Sequence, residues 1–193
     1  MISSYEENNY SSLFRVLILT KQPKLVVECG VLDGFSTFYI AHALRFNHQN
    51  RDIESAFFAY DIFDAYEYKH GDYDEIQTMM KKHDLEKYYQ LIECDAFEAA
   101  CLYQDRTVDF LHMDISNDGD TLLRTLDIWG NKISDNGIIA FEGGSIERDQ
   151  GWIRKYNKRP IRPELINNPI VYKNWYYQIF DPYPSLTLLF PKR

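Results

Sequence analysis

Glu28-Cys29-Gly30-Val31-Leu32-Asp33-Gly34-Phe35-Ser36-Thr37 reads as the end of a buried strand, a tight turn and the start of a helix. The run Lys24–Glu28 before it is short and apolar with a polar end, the pattern of a strand buried on both faces. Gly30 and Gly34 let the chain turn sharply and let a ligand approach the backbone. Ser36 or Thr37 is placed to cap the helix, whose first amides attract an anionic group. The plainer alternative is a strand-to-helix turn that needs two glycines. The spacing is not GxGxxG, which weighs against a dinucleotide site. No Gly-Lys-Ser/Thr follows, so the turn is not a P-loop.

Outward from this turn the same unit repeats. The apolar runs Ala56–Asp61, Tyr89–Glu93, Val108–Met113 and Gly137–Glu142 follow at about the spacing of βαβ units. Helical periodicity fills Ser36–Arg45, Tyr73–His83 and Thr121–Ile133, and another helix fits Tyr10–Thr20. Asp135-Asn136-Gly137 reads as the turn into the fifth run. At the C-terminus, Trp175–Phe180 and Leu186–Phe190 flank Asp181-Pro182-Tyr183-Pro184-Ser185, an antiparallel hairpin by its pattern. The expected fold is α/β: a doubly wound, Rossmann-like sheet of seven strands, mostly parallel, with a C-terminal antiparallel hairpin. We expect one domain over 1–193, with residues 1–22 an N-terminal helical segment and 145–174 an irregular substrate-side insertion.

Such sheets bind ligands beyond the C-terminal ends of their strands. Asp61 ends the second run, where a carboxylate can accept both hydroxyl hydrogens of a ribose; a solvated strand terminus is the alternative. Asp95-Ala96-Phe97 follows the third run, and Asp95 also suits a helix N-cap. The first turn resembles the first motif of class I S-adenosylmethionine methyltransferases, in the form Glu-x-Gly-x-x-x-Gly-x-Ser. That resemblance implies Glu28 near the methionine ammonium, with Gly30, Gly34 and Ser36 under the cofactor. It further implies Asp61 on the ribose, Asp95 and Ala96 at the adenine amino group, and Phe97 along the base.

Val108-Asp109-Phe110-Leu111-His112-Met113-Asp114 resembles the fourth motif of the catechol-type small-molecule methyltransferases, and Gly137-Ile138-Ile139-Ala140-Phe141-Glu142-Gly143-Gly144 the strand after it. The resemblance implies that Asp114 lies beside the cofactor's methyl group as base, metal ligand or acceptor anchor. Metal-dependent members hold Mg²⁺ with such an aspartate and an Asp-Asn pair, here Glu142-Gly143. Asp114 and Glu142 are therefore the candidate ligands of Mg²⁺ or another divalent cation, although the amide oxygen is gone. Asn117 stands where some members carry a lysine. Asp114, Glu142 and His112 are the titratable catalytic candidates, His112 lying inside an apolar strand where a structural histidine also fits. Asn117-Asp118-Gly119-Asp120 lacks the later glutamate of a calcium loop; Asp118 or Asp120 suits a helix cap.

The acceptor pocket should be bordered by residues 62–75, with Tyr66, Tyr68 and Tyr73, and by 145–174. Between Arg148 and Arg162 six basic residues meet one acid, Asp149, in a chain of net charge −8. Such a reversal suits a carboxylate or phosphate on the acceptor, or a solvated face paired with acids elsewhere. Trp152 and Trp175 suit core packing or ring stacking. The net charge weighs against a nucleic-acid partner. The stretch Leu13–Leu19, broken by Arg15, is too short to span a bilayer, so no membrane partner is expected. Cys29, Cys94 and Cys101 form no metal spacing and read as buried thiols of a cytoplasmic protein. The leading reading is an O- or N-methyltransferase of a small molecule such as a sugar or natural-product intermediate, with a homodimer compatible. A non-catalytic cofactor-binding protein and an NAD-dependent oxidoreductase are the alternatives.

Overall fold

Strands β1 (Leu25–Cys29), β2 (Ala56–Asp61), β3 (Gln90–Glu93), β4 (Val108–Met113), β5 (Ile133–Glu142), β6 (Trp175–Phe180) and β7 (Leu186–Pro191) form one sheet in the order β3-β2-β1-β4-β5-β7-β6. The structure, a computed structural model, describes residues 4–65, 71–116, 118–181 and 183–192. The expected seven-stranded, mostly parallel sheet with an antiparallel end is the one found. Two compact units divide the chain, Met1–Ala99 and Ala100–Arg193. Among the described residues no helix is long and apolar enough to cross a membrane.

In the first unit β1, β2 and β3 pair in parallel, Val27 opposite Phe58 and Tyr60 opposite Ile92. Their valines, phenylalanines and alanines suit a pleated surface covered by helices. Helix α1 (Tyr10–Lys21) buries Tyr10, Phe14 and Ile18, one stripe at helical spacing, and packs on α2 (Phe35–Arg51). The buried Asn47 amide of α2 donates to the Ile18 carbonyl at 3.0 Å, satisfying a polar group that packing would otherwise strand. Helix α3 (Tyr73–Lys82) is capped by Asp72, whose carboxylate accepts from the Glu75 amide at 2.9 Å, and buries Ile76 and Met80.

In the second unit β4 pairs in parallel with β5, β5 antiparallel with β7, and β7 antiparallel with β6. Helix α4 (Gly119–Trp129) ends four residues earlier than the periodicity suggested, because Ile133 already pairs with Val108. The Asp135-Asn136-Gly137 turn is likewise absorbed into β5. Val108 faces Ile133 but Phe110 faces Ile138, so the extra residues bulge within the strand. Residues 145–174 are helical rather than irregular. Helix α5 (Ile146–Arg148) runs into one π-helical turn, Asp149–Ile153, and α6 (Ile161–Asn167) and α7 (Pro169–Asn174) follow. Their prolines misled the reading because each sits at a helix start, where a missing N–H costs nothing. The Asp149 carboxylate caps α6, accepting from the Ile161 and Arg162 amides at 3.0 and 2.8 Å.

The cysteines also depart from expectation. Cys29 is buried, Cys94 is half-buried and Cys101 is exposed. Cys101 lies on the 3-10 turn Ala99–Leu102, which turns its two alanines inward and its last two residues out.

Candidate active site

Glu28 lies at the end of β1, fully buried, and the Thr37 hydroxyl of α2 donates to its carboxylate at 2.5 Å. Gly34, not Ser36 or Thr37, is the N-cap of α2, with φ +79°, a left-handed geometry that favours glycine. Ser36 and Thr37 sit inside the first turn, buried. The Cβ direction at Gly34 points at Met79 and Ile76 of α3, 3.1 and 3.2 Å away, so a side chain there would press on α3.

Asp61 accepts from three backbone amides. One carboxylate oxygen accepts from the Val31 and Leu32 amides at 2.7 and 3.1 Å, and the other from the Phe63 amide at 2.9 Å. It therefore staples the first turn, a role the strand-end pattern did not show. The oxygen that accepts from Phe63 retains a lone pair, so the carboxylate can still accept from one ribose hydroxyl. Asp95 accepts from the Phe97 and Glu98 amides at 2.8 and 3.1 Å, the turn-capping role foreseen as its alternative. Ala96 and Phe97 are buried, and the Ala96 carbonyl lies 3.9 Å from Cys29 Sγ. Burial, then the charge of Glu28, pushes the Cys29 thiol well above its ordinary range, so it is inert. Gly71 was missed by sequence reasoning: a Cβ there would meet the Leu32 carbonyl oxygen at 1.5 Å. Tyr66 and Tyr68 lie outside the described residues. Tyr73 begins α3, and its hydroxyl donates to the Leu91 carbonyl at 3.2 Å.

In the second unit Asp114 follows β4 and Glu142 ends β5. Their carboxyls share a hydrogen bond. Arg148 was not singled out in advance for this pair. Its guanidinium grips Glu142 with both terminal nitrogens, at 3.0 and 3.4 Å, and the two side chains are only 11% and 7% exposed. Burial, then the neighbouring Asp114, pushes the Glu142 carboxyl well above the usual range, and Arg148 pulls the other way. Asp114 and Arg148 thus act on the Glu142 carboxyl in opposite directions.

That shift fixes a pH dependence. A carboxyl raised on folding contributes stability that is fully present below its ordinary value and is lost as pH rises through the raised one. Urea unfolding from acid to alkaline pH should therefore show Glu142→Gln gaining on the wild type as pH rises. Parallel curves would remove the protonated Glu142.

His112 is fully buried in β4, its backbone paired with Ala140, which suits the structural reading. Asp118 is the cap foreseen, accepting from the Thr121 amide at 2.8 Å, and Lys158 contacts it at 3.1 Å. Asn117 lies outside the described residues. Most of the basic stretch is paired: Arg159 with Asp120 and Glu164, Arg162 with Asp181. Trp175 is buried, whereas Trp152 is 50% exposed and stacks on Tyr156 at 5.2 Å.

A divalent cation does not suit this donor set. Both Glu142 oxygens face Arg148, Gly143 offers no side-chain oxygen, and among the described residues no three His, Cys, Asp or Glu side chains group together. Mg²⁺ requires near-octahedral oxygen ligation, which Asp114 and a Glu142 already bound to a guanidinium do not supply.

No curated protein sequence matches the chain. Among solved structures, a methyltransferase from Geobacter sulfurreducens shares 18% identity at a TM-score of 0.66, over 98% of this chain and 84% of that one. An SAH-bound methyltransferase from Podospora anserina shares 17% at 0.65, over 100% and 80%. The O-methyltransferase TomG from Streptomyces achromogenes, in complex with SAM, shares 10% at 0.67, over 100% and 82%. At such identities these likenesses establish a common fold. The model of the methyltransferase domain family matches residues 27–142, from β1 through the end of β5. The chain thus belongs to the methyltransferase domain family, the class I group that its strand-end motifs resemble.

Proposed function

We propose that the chain transfers a methyl group from S-adenosylmethionine to an oxygen of a small-molecule acceptor, and that it acts as one methyltransferase domain over 1–193. The observation that carries this reading is the carboxyl pair Asp114–Glu142 braced by Arg148 at the ends of β4 and β5. When bound, the cofactor supplies a methyl group already activated on a sulfonium, so the protein must chiefly orient, shield and remove one proton.

Glu28 faces the methionine ammonium, Asp61 accepts from the ribose, Gly30, Gly34 and Ser36 form the turn beneath the cofactor, and Asp95, Ala96 and Phe97 border the base. Asp114 anchors the acceptor hydroxyl and takes its proton; Glu142, held by Arg148, braces Asp114 from the neighbouring strand. His112, sealed in its strand, contributes packing. An acceptor oxygen is favoured because a hydroxyl has a proton to give Asp114. Several fold neighbours, TomG among them, are O-methyltransferases by name.

A cleft of about 640 Å³ in the 146–167 segment supports an anionic acceptor. Ile146, Pro163 and Ile166 give it an apolar wall, and Arg154, Lys158 and Arg162 a basic one. Lys158 and Arg162 have carboxylate partners, and Asp149 is occupied in capping α6. Among the described residues Arg154 has none, so a carboxylate or phosphate on the acceptor would complete it.

Calorimetry on the full chain tests the reading. S-adenosylhomocysteine should bind and NAD should not; the reverse would turn the fold to a nicotinamide enzyme. Turnover on hydroxylated acids or phosphates should exceed that on their neutral analogues. Cofactor binding without transfer to any acceptor would leave a binding protein.

A further inference from the structure

We propose that Arg148 is a built-in cation: its guanidinium neutralises the Asp114–Glu142 pair in the place of a divalent metal, and the acceptor site works without one. The proposal rests on the methyltransferase reading for its use, and on the geometry of residues 142–148 for its substance.

Three features place the guanidinium. Ser145 caps α5, its hydroxyl accepting from the Arg148 amide at 3.1 Å, while its own amide donates to the Ser185 hydroxyl at 3.0 Å. The turn that carries the arginine is thereby pinned to the start of β7. The Tyr183 ring lies under Arg148, 5.7 Å from Cζ, and covers one face of the guanidinium. Gly143, at φ +114°, makes room for the arm. A Cβ there would meet Ile161 Cδ1 at 2.5 Å and lie 3.5 and 3.7 Å from Arg148 Cδ and Nε. A longer side chain at 143, such as one offering an amide oxygen to a metal, would run into Ile161 and this arm. The missing amide and the added guanidinium are two sides of one change.

The chemistry of the group agrees. Arginine keeps its charge at every accessible pH, and its planar fork matches a carboxylate bidentately, which a lysine would not. Its Nε is buried with no hydrogen-bond partner among the described residues. An unpaired buried donor weakens a fold, so charge neutralisation explains Arg148 better than stability does. A metal must be captured and can be lost, whereas this cation arrives with the chain.

The test reads cation binding directly. In a Mn²⁺ titration followed by electron paramagnetic resonance, the wild-type chain should leave the free-ion signal undiminished, with or without S-adenosylhomocysteine. Arg148→Ala bares the Glu142 carboxyl beside Asp114 and should bind Mn²⁺ at least about tenfold more tightly, a gain that Glu142→Gln in the same chain should cancel. Arg148→Ala should also melt lower and be raised by added Mn²⁺ or guanidinium ion at concentrations that leave the wild type unchanged. Arg148→Lys, which keeps the charge and loses the fork, should fall between. Wild-type Mn²⁺ binding that Asp114→Asn removes, or turnover lost to chelator and restored by Mg²⁺, would overturn the proposal. The two readings fail separately. Cofactor binding together with wild-type Mn²⁺ binding sinks the built-in cation alone. A metal-free wild type that binds no cofactor sinks the methyltransferase reading.

Discussion

Asp61→Ala is expected to lower cofactor affinity by about two orders of magnitude and unfolding free energy by about 3 kcal/mol, since hydrogen bonds to a charged group contribute ~1.5–3 kcal/mol each and are not additive. The carboxylate is the common acceptor for the Val31, Leu32 and Phe63 amides. Without it three half-buried N–H groups lose their partner, and the turn holding Gly30 and Gly34 loses the anchor that sets its path. The effect should appear in calorimetry and in urea unfolding together. Asp61→Asn should restore less than its size suggests, because its amide has one acceptor oxygen and presents N–H to N–H. A variant that unfolds like the wild type but binds cofactor weakly would leave Asp61 a ribose contact without the stapling role. Normal binding would remove it from the site.

Asp114→Asn should be larger still in turnover and nearly silent in binding. Proton removal by a positioned base contributes ~10²–10⁴-fold, so kcat should fall by about a thousandfold. Affinity for S-adenosylhomocysteine should stay within about threefold, because asparagine keeps the shape and the residue belongs to the acceptor's side of the chemistry. The loss should be visible in single-turnover assays, where product release cannot mask it. Equal rates in wild type and variant would strike Asp114 from the mechanism, and Glu142 would be the next residue to test.

The alternation of apolar runs and helices made the sheet legible, as five buried parallel strands leave little choice of architecture. The hairpin was legible from two aromatic and aliphatic runs around prolines. Less legible were features set by tertiary pairing. The end of α4 was hidden because Ile133 is apolar in helix and strand patterns alike, and only its pairing with Val108 decides between them. The helices of 145–174 were hidden by prolines that occupy first turns. Among the candidate site residues, Glu28, Asp61 and Asp114 were read from their places at strand ends, where position carries the information. Arg148 was counted among six basic residues with nothing local to separate it. What distinguishes it is Glu142, six residues away around two glycines with φ above +100°.

The β5 bulge separates the length of the strand from the direction in which Glu142 faces. Paired strands keep step in twos, one side chain up and the next down. Between Val108 and Met113 β4 advances five residues, while β5 advances eight, from Ile133 to Phe141. The extra residues lie between Ile133 and Ile138, upstream of the pairs from Phe110–Ile138 to Met113–Phe141 that set the phase of Glu142. A residue removed from 134–137 shortens the bulge and leaves those pairs, and the side on which the carboxylate stands, as they were. Length variation in this stretch should therefore spare the site in odd and even steps alike.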